Sequence, residues 1–169
     1  MLGDSYMWLL RPIRLDYCTG IRQFMFRILV QQFALKGLLA IFIVSLIPDA
    51  GVADHGPLNR QPLLAFFVFV LVAPPLETLL FQVVTIETMR TFKRSRLFQF
   101  LAGSVPFAAL HFVGGVASGI AAGMVGGIFF SHTYLECRNK SWWTSTWVTT
   151  VTHSLHNLIV FPIVCAFAK

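Results

Sequence analysis

The chain has 169 residues, of which 56% are hydrophobic and only 12% are charged, and its mean hydropathy is +0.72. Soluble domains contain roughly 45–50% apolar and about 25% charged residues, so this composition excludes a soluble globule, a disordered chain and a nucleic-acid-binding domain. The net charge of +6 does not indicate a nucleic-acid partner either, because the basic residues lie between long apolar runs, where they set the orientation of a membrane protein.

The first part of the chain, residues 1–32, is predicted to be a basic segment that lies on the membrane surface. Trp8, Leu9 and Leu10 form an apolar patch, and arginines follow at positions 11, 14, 22 and 27. Apolar and basic side chains in one segment are typical of an interfacial amphipathic helix. We therefore expect a single domain over residues 1–169, in which this segment leads into a helix bundle over residues 33–168.

Five apolar stretches follow, and each is a candidate for the roughly 20-residue helix that crosses a membrane. They cover residues 33–47, 62–89, 97–113, 116–135 and 142–168. The second is too long for a straight span, and its adjacent prolines, Pro74 and Pro75, predict a kink or a break. The predicted fold class is an all-α, polytopic membrane helix bundle with about five transmembrane helices.

The basic residues predict the orientation of this bundle. They crowd the N-terminal segment, the connection between the second and third stretches, and the connection between the fourth and fifth. Since Lys and Arg concentrate on the cytoplasmic side of a membrane protein, we expect a cytoplasmic N-terminus and an external C-terminus. Glu87 lies near the predicted cytoplasmic end of the second stretch, where we expect it to pair with the basic cluster that follows.

The fourth stretch is rich in small residues. Gly115, Gly119, Gly123 and Gly127 repeat the GxxxG spacing, which allows two helix backbones to approach closely in lipid. The predicted role is packing inside the protein's own bundle. The alternative is a homodimer interface formed through this helix.

Several polar residues lie inside the apolar stretches, where ionisable side chains are costly and usually mark a function. They are Glu77, His111, His153, His156 and Asn157. At about 1.5 Å per helical residue, the first three lie roughly 20 Å from the nearest cytoplasmic charge, and Asn157 lies somewhat deeper. Phe107 shares a helix face with His111, as His153 does with Asn157. We therefore expect these residues to converge on one cavity inside the bundle.

The chemistry of this set points to hydrolysis. A carboxylate kept from bulk water can act as a general base near neutrality, so Glu77 could take a proton from water that His111 helps to hold. His153 and Asn157 could donate hydrogen bonds to a developing oxyanion. The same Glu and His residues could instead bind zinc. A purely structural polar network is the remaining alternative.

The motifs resemble those of the CPBP intramembrane protease family, also called the Abi or CAAX-protease family, which are EExxxR, FxxxH and HxxxN. The chain contains Glu77-Thr78-Leu79-Leu80-Phe81-Gln82, Phe107-Ala108-Ala109-Leu110-His111 and His153-Ser154-Leu155-His156-Asn157 in the same order. The first motif departs from the family pattern, because Thr78 and Gln82 replace its second Glu and its Arg. A hydrogen bond between these two neutral side chains would replace the ion pair.

The resemblance implies an intramembrane endopeptidase in which Glu77 and His111 activate water, while His153 and Asn157 form the oxyanion hole. Thr78, Gln82, Phe107 and His156 would surround these catalytic residues. The resemblance is compatible with a glutamate-type or a metal-dependent mechanism. We expect the metal-free mechanism, because Asn157 is a poor zinc ligand. If zinc is bound instead, its ligands would be Glu77, His111 and His153.

The expected partners are membrane lipids and a membrane-anchored peptide or protein substrate. The resemblance and the small size indicate a bacterial inner-membrane protein, and the predicted orientation places the site toward the outer half of the bilayer. This favours a C-terminal sorting tail or an exported peptide as substrate. The alternatives are a non-catalytic immunity or scaffolding protein on the same fold, a rhomboid-like serine protease that uses Ser118, and a proton relay or transporter.

Overall fold

The structure is a computed structural model that describes residues 20–46 and 61–167 of the chain. The described residues form helices and no strand, which confirms the predicted all-α membrane helix bundle. The five helices are α1 (Ile21–Leu46), α2 (Pro62–Thr91), α3 (Arg96–Phe112), α4 (Val116–Cys137) and α5 (Trp142–Phe167). Short connections join α2 to α3, α3 to α4 and α4 to α5. Each of these helices therefore runs antiparallel to the one before it.

Three of the five helices are long and apolar enough to cross a membrane: α1 over Ile21–Ile43, all of α2, and all of α4. The 17 residues of α3 cover only about 25 Å at 1.5 Å per residue, which is short of the roughly 30 Å hydrocarbon core. Large apolar side chains on the outside of α1 and α2 are exposed, among them Leu38, Ile41 and Leu63. These faces are suited to contact lipid.

Helix α1 begins earlier than the sequence predicted. It is continuous from Ile21, so residues 21–32 extend the first helix and do not form a separate surface segment. The reason is packing: Phe24, Met25 and Ile28 are buried in a cluster with side chains of α4 and α5. Arg22 and Arg27 lie on the opposite, exposed face. The remainder of the predicted surface segment, residues 1–19, lies outside the described residues.

Helix α4 is the centre of the bundle, and its glycines contact α3. A Cβ atom on Gly123 would lie 2.8 Å from the Cβ of His111, and one on Gly127 would lie 2.7 Å from the carbonyl oxygen of Ser104. A Cβ on Gly119 would overlap the ring of Phe112. The predicted packing role is therefore confirmed. The alternative of a homodimer through α4 stays a prediction, although α3 covers three of the four glycines.

Ion pairs join the helices at the end of the bundle where α2 and α4 finish. The carboxylate of Glu87 accepts hydrogen bonds from Arg138 at 2.7 and 3.2 Å and from the hydroxyl of Tyr134 at 2.9 Å. Arg90 lies 3.6 Å from the same carboxylate. Glu87 therefore contacts Arg90, a member of the basic cluster that was expected to pair with it. Its shorter contact is with Arg138, which lies outside that cluster. The hydrogen bonds that Arg138 donates to the Glu87 carboxylate raise the pKa of Arg138.

The adjacent prolines do not break α2. Pro74 and Pro75 occupy the first turn of a short α-helical segment, Ala73–Glu77, which lies between two π-helical segments, Phe67–Val72 and Thr78–Val84. Proline removes a backbone donor and its ring crowds the carbonyl four residues earlier. A π-helical turn is wider than an α-helical turn, so it can accommodate the missing donor and the crowded carbonyl. Such turns occur frequently at functional sites. Glu77 is the last residue of the α-helical segment.

Candidate active site

The first and third motifs meet between α2 and α5. Nε2 of His153 lies 3.7 Å from Oε2 of Glu77. This separation is longer than a hydrogen bond, and a water molecule beside the two atoms could bond to both. The His153 side chain is buried, while 23% of the Glu77 side chain remains exposed. The structure thus brings these two candidate residues together.

Two phenylalanine rings hold the imidazole of His153. Phe130 of α4 stacks on it with a centroid distance of 4.1 Å and an interplanar angle of 27°. Phe107 of α3 meets it edge-on at 5.8 Å. The two contacts restrict the rotation of the ring, so the packing of three helices fixes the direction in which Nε2 points.

His111 joins the same aromatic cluster through Phe107. The two rings stack at 4.5 Å, as expected for side chains one helical turn apart. Nδ1 of His111 lies 2.9 Å from the carbonyl oxygen of Phe107, and since a carbonyl only accepts, Nδ1 carries the proton. In a neutral ring, Nε2 is then an acceptor. This tautomer is the one that could accept a hydrogen bond from a water molecule.

Asn157 lies one turn after His153 on α5. Its Nδ2 donates a 2.8 Å hydrogen bond to the carbonyl oxygen of Phe69, which belongs to the first π-helical segment of α2. An amide nitrogen has two N–H groups, so this bond uses only one of them. The bond orients the side chain of Asn157 and leaves its second N–H as a donor for a substrate oxygen.

His156 lies at the edge of the site and contacts α1. Its Nε2 is 2.6 Å from Nζ of Lys36, and its ring is 4.9 Å from that of Phe33. The Phe130 ring lies on another side of it, at 6.2 Å. His156 therefore lies beside the candidate site residues, and its direct partner is the amine of Lys36, which the sequence analysis did not single out.

Thr78 and Gln82 are completely buried beside Glu77 along α2. The predicted hydrogen bond between them is wrong: within the described part of the chain, the Thr78 hydroxyl and both polar atoms of the Gln82 amide have no hydrogen-bond partner. The prediction assumed regular α-helical spacing. Both residues lie in the π-helical segment Thr78–Val84, whose backbone hydrogen bonds run from i to i+5, so the local geometry differs from the α-helix that the prediction assumed.

The donor set was also tested against a zinc site. Among the residues that the structure describes, no three His, Cys, Asp or Glu side chains are arranged to hold a metal ion. Glu77 and His153 are neighbours, and the hydrogen bond between Nδ1 of His111 and the Phe107 carbonyl leaves Nε2 of His111 without a proton, as in a metal-bound histidine. Catalytic zinc sites generally have three protein ligands. The metal-free mechanism and the zinc-dependent alternative through Glu77, His111 and His153 both stay predictions.

Sequence reasoning missed two contributors to the site. Lys36 is a charged residue inside an apolar helix, and this is visible in the sequence. Like Glu77, it is an ionisable side chain in a predicted membrane span, which usually marks a function. Phe130 carries no such signal, because a phenylalanine in a membrane helix is ordinary and only the fold places it against His153.

One of three comparisons with known proteins finds a match for this chain. Residues 59–159 match the model of a family described as type II CAAX prenyl endopeptidase Rce1-like. The matched region contains Glu77, His111, His153 and Asn157, and it leaves out α1 and therefore Lys36. The comparison with curated proteins and the comparison with solved structures give no match.

Proposed function

Because the chain belongs to the Rce1-like family of type II CAAX prenyl endopeptidases, we propose that it hydrolyses a peptide bond in a membrane-embedded or lipid-linked substrate. Glu77 is the proposed general base. The observation that carries this proposal is the approach of the Glu77 carboxylate to His153, 3.7 Å apart, which joins two motifs from distant parts of the chain. The family assignment agrees with the resemblance to CAAX proteases and leaves the rhomboid-like alternative without support.

The proposed reaction needs one water molecule and no covalent enzyme intermediate. Glu77 accepts a proton from the water as the water oxygen attacks the scissile carbonyl carbon. The tetrahedral intermediate then collapses, the carbon–nitrogen bond breaks, and Glu77 returns the proton to the leaving nitrogen. The products are a new carboxyl end and a new amino end.

The other three residues have distinct tasks in this proposal. His111, with its proton on Nδ1, accepts a hydrogen bond from the attacking water at Nε2. His153 and Asn157 donate to the oxyanion as charge develops on the substrate oxygen. For Asn157 the donor is the N–H that the Phe69 carbonyl does not use. Such preorganised donors are each worth about 10²–10³ in kcat.

We propose that the hydrolysis is metal-free. The support is the geometry of the donor set, in which the candidate ligands do not converge as a zinc site requires. A metal-free enzyme keeps its activity after prolonged treatment with a chelator, and the active sample contains no stoichiometric zinc by elemental analysis. Recovery of lost activity on adding zinc would instead support the metal-dependent mechanism.

The substrate proposal depends on the orientation of the bundle. With a cytoplasmic N-terminus, the site would face the outer half of the bilayer, which favours a C-terminal sorting tail or an exported peptide. The family description favours a prenylated peptide. A direct test reconstitutes the protein in liposomes with a farnesylated peptide or with a transmembrane peptide that ends in a sorting tail, and identifies the products by mass spectrometry. No product from either class would support the non-catalytic alternative.

A further inference from the structure

Lys36 is an amine inside the membrane part of the protein. It lies near the middle of α1, about 14 Å along the helix from Arg27 and about 15 Å from the last residue, Leu46. Its Nζ is 2.6 Å from Nε2 of His156. A charged side chain at such a position is costly unless it is paired, and it usually marks a function.

No carboxylate in the described part of the chain compensates Lys36. The three acidic residues there have other partners: Glu77 faces His153, Glu87 binds Arg138, and Glu136 binds Arg96. The ammonium group has three N–H donors, and His156 accepts only one of them. Two donors therefore remain on the ammonium group of this half-buried side chain, which lies between α1 and α5.

The surroundings of Lys36 also favour an anion. Lys36 contacts His156, and the ring of His156 lies against the same Phe130 that stacks on His153, so Lys36 lies beside the proposed catalytic cluster. Because Nε2 of His156 accepts from Lys36, its Nδ1 carries the proton, and this buried N–H has no hydrogen-bond partner among the described residues. A cation and a spare ring N–H at one side of the Glu77 site form a pair of donors that a carboxylate could satisfy.

We propose that Lys36 binds a carboxylate of the peptide substrate and so determines which substrates are cleaved. This inference rests on the proposed hydrolase function and adds a residue from outside the matched family region. Lipid phosphates lie near the ends of α1, about 14 Å or more along the helix from Lys36. A peptide bound at Glu77, in contrast, lies at the depth of Lys36. The carboxylate is either the C-terminus of the substrate or an acidic side chain near it.

The test compares three farnesylated peptides of one sequence in liposomes. The first ends in a free carboxylate, the second in an amide, and the third in an amide with a Glu placed next to the end. The variants are Lys36→Met, which keeps the length of the side chain and removes its charge, and Lys36→Arg, which keeps the charge. Lys140→Met removes an exposed cation elsewhere and is the matched control.

We expect Lys36→Met to raise the KM for the free acid by about ten- to a hundredfold, the range for a hydrogen bond to a charged group. The kcat stays within about twofold, and the KM for the plain amide does not change. Lys36→Arg restores most of the preference, and Lys140→Met has no effect. If the third peptide behaves like the first, an acidic side chain can supply the carboxylate.

Two results would overturn the inference. One is an unchanged ratio of acid to amide cleavage in Lys36→Met. The other is an equal loss of kcat on all peptides, which would mean that Lys36 only positions His156. A binding measurement separates this inference from the hydrolase proposal. The Kd values of a fluorescent peptide that ends in an acid and of one that ends in an amide are measured on the Glu77→Gln protein, which binds them without cleaving them. If the wild type cleaves nothing, the hydrolase proposal fails, and equal Kd values for acid and amide then reject the role of Lys36 as well.

Discussion

Oε2 of Glu77 on α2 lies 3.7 Å from Nε2 of His153 on α5, although α3 and α4 separate these residues in the chain. The approach depends on tertiary packing, because α4 supplies the Phe130 ring that stacks on His153 and α3 supplies Phe107. A change that moves α3 or α4 should therefore alter the site without touching either reacting group.

Replacing His153 with phenylalanine should abolish its hydrogen bonding to the oxyanion and leave the packing of the ring unchanged. An aromatic ring can still stack on Phe130, but it has no nitrogen to donate to an oxyanion. We expect kcat to fall by about 10²–10³, with a melting temperature close to that of the wild type. Rates on a farnesylated peptide and thermal unfolding in detergent measure the two effects. A variant that is both unfolded and inactive would indicate that the ring nitrogens are needed for stability.

Gly123→Ala should disturb the site from a distance. The added methyl group would lie 2.8 Å from the Cβ of His111 and 2.9 Å from the carbonyl oxygen of Ala108, so α3 must move away from α4. We expect a loss of about 1–3 kcal/mol in stability and a reduced rate. Gly37→Ala is the control, because a Cβ there meets nothing within 4 Å. Equal behaviour of the two variants would contradict the close packing of α3 on α4.

The ion pair between Glu87 and Arg138 should contribute to stability and not to catalysis. Both side chains are about one quarter exposed, so solvent screens the interaction. We expect a coupling free energy of about 0.5–1 kcal/mol in a double-mutant cycle of Glu87→Gln and Arg138→Met, decreasing in high salt. Additive effects of the two substitutions would show that the pair does not contribute. A large loss of kcat in either variant would give this pair a catalytic role.

Gln82→Met should be tolerated. Both polar atoms of the buried Gln82 amide lack a hydrogen-bond partner among the described residues, so an apolar side chain of similar size removes an unfavourable burial. We expect the variant to be stabilised by about 1 kcal/mol and to retain its activity. Thermal unfolding and peptide hydrolysis test both parts. A clear loss of activity would mean that Gln82 supports the catalytic residues, which the motif comparison places beside it.

The sequence predicted the helices well because membrane burial leaves a strong local signal. Five apolar stretches between polar connections correspond to the five observed helices. The start of α1 was predicted too late, because the arginines around Phe24 and Ile28 resemble a surface segment. Only the fold shows that these two apolar side chains pack against α4 and α5.

The site was predictable in part for a similar reason. Glu77 and His153 are polar groups in apolar helices, and their motif spacing indicated a shared face and depth. The missing hydrogen bond between Thr78 and Gln82 was not predictable, since it follows from a π-helical segment that the apolar pattern does not reveal. The role of Phe130 was not predictable for another reason, because it depends on a contact between α4 and α5.

The most direct test of the central claim is the rate of peptide hydrolysis by Glu77→Gln in liposomes. The matched control is Glu87→Gln, which makes the same change on the same helix outside the site. We expect Glu77→Gln to insert and fold normally and to lose about 10²–10⁴ in kcat, because glutamine cannot accept the proton of water. Glu87→Gln keeps its rate. Full activity of a well-folded Glu77→Gln protein would contradict the account.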